Sequence, residues 1–221
     1  MQLIASGRDS DVFAYDEGLV LRRYRDGRSA EEEAATLRAV ASLGYPVPVV
    51  HDATGPDIVM ERVDGPTLAE SLVAGLPPDE GGALLADLHD RLHALAWPGA
   101  APGEALLHLD LHPLNVILSG TTPVVIDWSN ARPGPAALDV AMSAVILAQV
   151  VVTDGMLEAV GIDESARPAL ARLLTVFAAE VGTPYAGALA ATEALRRQDP
   201  YQSGAELEAL SRAVDLAASL A

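Results

Sequence analysis

Residues 106–132, LLHLDLHPLNVILSGTTPVVIDWSNAR, carry the side chains best suited to chemistry. His108, Asp110 and Asn115 are spaced H-x-D-x-x-x-x-N, and a second acid, Asp127, closes a following apolar run. Apolar runs at 116–118 and 124–126 flank a polar turn at 119–122 and read as a hairpin. Such a hairpin predicts that Asp110, Asn115 and Asp127 converge at one end of the paired strands. Three oxygen donors there suit a hard cation such as Mg2+, which favours carboxylates, waters and phosphate oxygens. The outline is that of a phosphoryl-transfer site.

Other readings use the same residue types. The plainest is a polar loop followed by an unrelated strand-end acid. In another, His108, Asp110 and His112 alternate along a strand and ligate a metal from one face. That arrangement leaves Asn115 and Asp127 unused, and Pro113 argues for a loop. His89 and His93, four apart in HDRLH, fall one methylene short of the H-E-x-x-H zinc pattern. With no third ligand in view, they read as polar residues on a helix flank.

The loop spacing, followed by I-D-W, resembles the catalytic loop and metal-binding Asp of protein kinases. The wording is more similar to the aminoglycoside phosphotransferase-like family of small-molecule kinases, including the choline kinase type. Those typically read H-G-D-x-H-x-x-N and then I-D-W or I-D-F. Here HLDLHPLN departs at Leu109 and Leu114, where glycines are common. The resemblance implies that Asp110 is the catalytic base, that Asn115 and Asp127 ligate Mg2+, and that His108 braces the loop.

Composition sets the outer bounds. The chain has 221 residues, enough for one large domain or two lobes, and half of them are hydrophobic. The absence of Cys removes disulfides and thiolate metal sites. A net charge of −17 argues against nucleic acid, and it is compatible with a cationic substrate. No apolar run reaches the length of a membrane span, and the N-terminus lacks a signal-peptide pattern, so a cytoplasmic protein without a membrane partner is expected. No obligate protein partner is evident. All 14 basic residues are Arg, so a kinase built on this chain must work without the usual ATP-binding lysine.

The elements that must position the site begin with a strand, a turn and a second strand. Gly7, Ser10 and Val12 are spaced G-x-x-S-x-V, a turn able to lay backbone N–H groups and the Ser10 hydroxyl over phosphates. In the strand LVLRRY, alternation puts Val20, Arg22 and Tyr24 on one face. In the kinase pattern the phosphate-pairing Lys follows a small apolar residue by two positions, which gives Arg22 that place behind Val20. A helix is expected over 30–43, with Ser29 as N-cap and Glu32 closing a capping box. Glu33 lies on its apolar face with Leu37 and Val40, and a buried acid needs a partner, for which Arg22 is the natural candidate.

The segment VMERVDG resembles a kinase hinge. By that resemblance Met60 lines the adenine pocket, while backbone groups of Glu61 and Val63 bond the base. Helices are expected over 68–74, 78–95, 138–152, 168–180, 184–198 and 206–220, with Asp139 as a structural buttress of the catalytic loop. The implied architecture is an α+β, bilobal protein-kinase-like fold: an antiparallel-sheet N-lobe with one helix over 1–63, and a mainly helical C-lobe over 64–221. The implied activity is ATP- and Mg2+-dependent phosphorylation of a small-molecule hydroxyl, with an aminoglycoside, amino alcohol or sugar as acceptor. The alternative is a nucleotide-binding pseudokinase, motivated by the missing Lys and the thinned glycines. Acids such as Asp87, Asp90, Glu180 and Glu193 could meet a cationic acceptor or form a solvated surface.

Overall fold

The computed structural model describes residues 1–7, 9–120 and 122–221. Arg8, in the expected phosphate loop, and Thr121, in the expected hairpin turn, lie outside the described residues. The chain begins with β1 (Leu3–Ser6), β2 (Ser10–Asp16), β3 (Leu19–Tyr24), α1 (Glu31–Ser42), β4 (Val50–Thr54) and β5 (Asp57–Glu61). Next come α2 (Leu68–Val73), α3 (Pro78–His93), β6 (Ala105–Leu107), β7 (Val116–Ser119), β8 (Thr122–Val125) and β9 (Arg132–Gly134). Helices α4 (Ala136–Val152), α5 (Met156–Ala159), α6 (Arg167–Glu180), α7 (Leu189–Gln198) and α8 (Gly204–Ala218) follow.

Contacts divide the chain into two units. The first comprises Met1–Pro66 and Val116–Ala131, the second Thr67–Asn115 and Arg132–Ala221. A boundary after residue 63 would leave the β7–β8 hairpin with the second unit. Its contacts group it with the first.

In the first unit five strands form an antiparallel sheet in the order β1-β2-β3-β5-β4. The β-branched and aromatic residues of β3 suit a half-buried pleat. Alternation sends Val20, Arg22 and Tyr24 to a buried face, while Arg23 stays exposed. Tyr24, Ala30, Ala34 and Ile58 form the core there, with Val50, Ala53 and Met60 packed against it. Helix α1 buries Glu33, Ala34, Leu37 and Val40 and leaves Glu31 and Glu32 in solvent.

The expected Ser29 cap is displaced by one residue. Ala30 is the N-cap and makes no side-chain bond, while Ser29 Oγ accepts only the Glu31 N–H, at 3.2 Å. Ala30 is fully buried and its N–H donates to Gly55 O at 2.7 Å, so core packing rather than a polar cap fixes the helix entry. Capping boxes form elsewhere, at Thr67/Glu70 before α2 and Ser203/Glu206 before α8.

The β7–β8 hairpin is tied to the sheet region through its backbone. Leu118 N–H donates to Pro66 O at 2.8 Å and Val125 N–H to Pro46 O at 2.9 Å. Gly65 permits this approach: its φ is +148°, and a Cβ there would collide with the Leu118 carbonyl. Trp128, just past the hairpin, is buried edge-on against Tyr45 with ring centroids 5.8 Å apart.

The second unit is mainly helical. Helix α4 is buried from Val140 through Gln149, the pattern of a helix enclosed on all sides, and α3, α6, α7 and α8 pack around it. Helices α3 and α6 approach closely at Gly82, where a Cβ would lie 2.7 Å from Leu173 O. Where a helix was expected over 184–198, the chain makes a short 3-10 turn at Ala186–Ala188 before α7. The short pair β6–β9 precedes α4, and a 3-10 turn at Pro113–Asn115 ends the loop that carries Asp110. The α+β class, a sheet with one helix and then a helical region, is the one expected. Among the described residues no helix is long and apolar enough to cross a membrane.

Candidate active site

In the first unit the chemistry gathers on Arg22, which is 6% exposed. Its Nε donates to Ser10 Oγ at 2.9 Å, its Nη1 donates to Glu33 Oε1, and its Nη2 donates to Asp127 Oδ1 at 2.9 Å. Asp9 Oδ1 stands 3.7 Å from Nη2 and also pairs with Arg28. Burial works against the Arg22 charge, but the Asp127 and Glu33 carboxylates outweigh it and raise the guanidinium pKa above its ordinary value. Arg22 is therefore a fixed cation.

Glu33 is the acceptor for three donors. Besides Arg22, it receives the Tyr24 hydroxyl and the Trp128 backbone N–H, the last at 3.1 Å. Burial pushes the Tyr24 phenol up, and the neighbouring Glu33 charge reinforces it, so Tyr24 stays a neutral donor. The Arg22–Glu33 pairing follows from strand alternation and helix face, as the sequence predicts. Tyr24, Trp128 and Ser129 were not among the predicted site residues. For Tyr24 the signal was available, since it shares the Arg22 face.

Asp127 sits at φ +63°, uncommon for a non-glycine residue. Its Oδ1 accepts from Arg22 and from Ser129 Oγ at 3.0 Å. Oδ2 accepts no hydrogen bond among the described residues, and the side chain is 37% exposed. That oxygen is available to a cation.

Ser10 turns its hydroxyl towards Arg22, and Gly7 N–H closes the preceding turn onto Ser10 O at 2.8 Å. Of the nucleotide-pocket candidates, Val20 is buried and lies opposite the half-buried Met60 across β3 and β5. Glu61 N–H is already used by Val49 O at 2.8 Å. Val63 lies beyond the end of β5, where its backbone is outside the ladder.

In the second unit the Asp110 loop is built on Asp139. This buried carboxylate accepts the backbone N–H of Leu109 at 2.6 Å and of His108 at 3.1 Å, and His93 Nε2 lies 2.9 Å away. Burial opposes the Asp139 charge, but the bond to His93 and the nearby histidines outweigh it and hold the carboxyl at about 2. Leu109 has φ +64°, where an L-residue costs about 1–2 kcal/mol. Its side chain repays that strain by packing with Ala105, Leu107, Met142 and Ile146. A leucine can thus stand where glycine is common.

His89 and His93, expected as polar residues on a helix flank, are both enclosed. His89 is fully buried, with Nδ1 2.8 Å from Leu85 O and Nε2 2.9 Å from Ser143 Oγ. A carbonyl can only accept, so Nδ1 carries the proton. Burial lowers the His89 pKa to about 4, partly offset by Asp139. Among the described residues no group of three or more His, Asp or Glu side chains is placed to hold a metal ion.

Asn115 Nδ2 donates to Asp110 O at 2.9 Å and to Asp110 Oδ2 at 3.2 Å. Its Oδ1 accepts no hydrogen bond among the described residues, which leaves an oxygen donor of the kind Mg2+ uses. The Asp110 pKa is lowered: burial acts against ionisation, but His112, His108 and Arg196 together outweigh it. Of the acids considered for a cationic acceptor, Asp87 pairs with Arg91 at 3.2 Å, Asp90 accepts Gly182 N–H at 3.1 Å, and Glu193 pairs with Arg197 at 2.6 Å.

The model of the phosphotransferase enzyme family matches residues 1–104 and 90–174. Among solved structures, a thermostable variant of aminoglycoside phosphotransferase APH(4)-Ia, in a ternary complex with AMP-PNP and hygromycin B, aligns at TM-score 0.62 and 18% identity, over 99% of this chain and 92% of that one. ADP-bound aminoglycoside phosphotransferase APH(2'')-Ib aligns at TM-score 0.60 and 15% identity, over 99% and 93%. An ethanolamine kinase from Plasmodium vivax aligns at TM-score 0.58 and 13% identity, over 99% and 82%. At these identities the structures establish a shared protein-kinase-like fold. No match was found among curated proteins. The chain belongs to the phosphotransferase enzyme family.

Proposed function

We propose that this protein transfers the γ-phosphate of ATP to a hydroxyl of a small molecule, with Mg2+ as cofactor. The observation that carries the reading is Arg22, a cation in the place of the missing lysine, bonded to both Glu33 and Asp127. A buried, always-charged guanidinium with rigid donors suits phosphate oxygens as well as carboxylates. Arg22, held by Glu33, steadies the α- and β-phosphates. Gly7 and Ser10 border the phosphates, Val20 and Met60 flank the base, and backbone groups of Glu61 and Val63 bond its edge.

Asp110 orients the acceptor hydroxyl and takes its proton. Asn115 Oδ1 and Asp127 Oδ2 would hold Mg2+. When bound, the ion supplies charge neutralisation at the phosphate oxygens. Two side-chain ligands suffice, since Mg2+ completes its shell with waters and phosphate. An aminoglycoside, amino alcohol or sugar is the proposed acceptor class, supported by the hygromycin B bound in one similar structure, by the name of the similar ethanolamine kinase, and by the acidic chain.

The test is ATP consumption over aminoglycosides, amino alcohols, sugars and nucleosides, with Asp110→Ala as the blank. Turnover with at least one acceptor is expected, falling by about 10²–10⁴-fold in the variant while Mg-ATP still binds. A wild type that binds Mg-ATP and phosphorylates nothing would instead mark a nucleotide-binding module.

A further inference from the structure

The Asp110 carboxylate has a second neighbour besides Asn115. His112 Nε2 lies 3.4 Å from Asp110 Oδ1, while Asn115 Nδ2 reaches Oδ2 at 3.2 Å. The opposite edge of the His112 ring is also engaged, since Leu114 N–H donates to Nδ1 at 3.3 Å. Pro113 opens the 3-10 turn that aims this N–H back at the ring, and Asn115 N–H closes onto His112 O at 2.8 Å.

These contacts decide the tautomer. A nitrogen that accepts from a backbone N–H carries no proton, so neutral His112 holds its proton on Nε2, facing the carboxylate. Asn115 Nδ2 also lies 3.3 Å from Nε2, but its two hydrogens are committed to Asp110 O and Oδ2. The carboxylate is therefore flanked at both oxygens, by the imidazole Nε2 at 3.4 Å from Oδ1 and by an amide N–H at 3.2 Å from Oδ2.

We infer that His112 is a positioning residue for phosphoryl transfer, an Nε2–H donor that fixes the plane of the Asp110 carboxylate. The inference rests on the proposed role of Asp110 as base. A carboxylate free to rotate about its Cβ–Cγ bond loses alignment with the acceptor hydroxyl, and alignment is where such a base contributes. Asn115 alone would hold only one oxygen. The motif places His112 two residues beyond Asp110, where sequence offered it only as a possible metal ligand.

Two measurements test this on the full chain. Long-range 1H–15N correlation at pH 8 reads the tautomer without any turnover. The Nε2–H form is expected, and the Nδ1–H form overturns the inference whatever the protein's activity. The second measurement compares His112→Gln, whose amide nitrogen can stand near the Nε2 position, with His112→Leu, which has no donor. The leucine variant should lose about 10–100-fold in kcat with the KM for Mg-ATP unchanged. The glutamine variant should recover to within about fivefold of wild type. Equal losses in both variants, or losses that follow their melting temperatures, would show a merely structural role. If wild type transfers phosphate to no acceptor, the functional proposal fails, and the tautomer measurement still decides the donor geometry.

Discussion

Arg22 and Asp127 are joined by a single hydrogen bond, Nη2 to Oδ1 at 2.9 Å, between residues 105 positions apart. The same guanidinium reaches Glu33 and Ser10 from its other nitrogens, so one planar fork ties β2, β3, α1 and the segment after β8. An ammonium group is compact and cannot span three such partners.

Replacing Arg22 therefore has graded effects. Arg22→Met leaves Glu33 buried without its cation and should lower unfolding free energy by about 3–5 kcal/mol. Arg22→Lys keeps the charge and loses at least one charge-assisted bond to its protein partners, worth roughly 1.5 kcal/mol of stability; a phosphate bond lost with it would weaken Mg-ATP binding about tenfold. Denaturant melts and nucleotide titration read the two effects. A lysine variant that binds more tightly than wild type would refute the assignment of Arg22.

At Leu109 two terms oppose each other. Glycine would remove about 1–2 kcal/mol of left-handed strain, whereas deleting a buried leucine side chain costs about 2–5 kcal/mol. Burial wins, so Leu109→Gly should be less stable than wild type even though glycine relieves the backbone. Leu109→Ala keeps the strain and loses the packing, which places it below Leu109→Gly. Urea unfolding of the three proteins gives the order directly.

Acid should destabilise the second unit over two successive pH ranges. His89 has its folded pKa depressed to about 4 from 6.5, so between those values the unfolded chain holds a proton that the folded chain lacks. Stability is full above pH 6.5 and falls by about 3 kcal/mol as pH drops to 4. Asp139, held at about 2, contributes above pH 4 and loses that contribution as pH falls through its folded value. Melting temperature against pH should be steeper between 6.5 and 4 for wild type than for His89→Gln. Parallel curves would contradict the buried neutral imidazole.

Gly65→Ala places a methyl against the Leu118 carbonyl at a backbone angle that side chains rarely adopt. Backbone must move, at a cost of about 2–4 kcal/mol. Gly120→Ala, at an open turn with φ +61°, meets no atom within 4 Å and carries only the conformational penalty of about 1 kcal/mol. Comparing the two variants in thermal melts separates collision from strain. Equal losses would mean that the Gly65 backbone yields freely.

Local periodicity made much of this legible in the sequence. Strand alternation put Arg22 inward and helix phase put Glu33 on the buried face, and these two rules alone pair them. Asp139 was recognisable as a buttress, but its partner His93 was not, because 46 positions separate them and neither lies in a shared pattern. The left-handed turn at Leu109 was hidden for a related reason. A leucine signals core, and only the packing around it shows that core burial stabilises a glycine-like backbone. The hairpin's grouping with the first unit goes with the backbone approach at Gly65, which no local pattern around that residue specifies.

Glu33 carries a last consequence. Because one carboxylate receives a guanidinium, a phenol and a main-chain amide, α1 cannot swing outward and strand only one of them. Such a movement abandons all three donors together, at about 1–3 kcal/mol apiece, so a displaced helix is populated by fewer than roughly one molecule in a hundred. Nucleotide would then meet a rigid jig already set, and control of this protein by rocking that helix would have to begin by breaking its strongest knot.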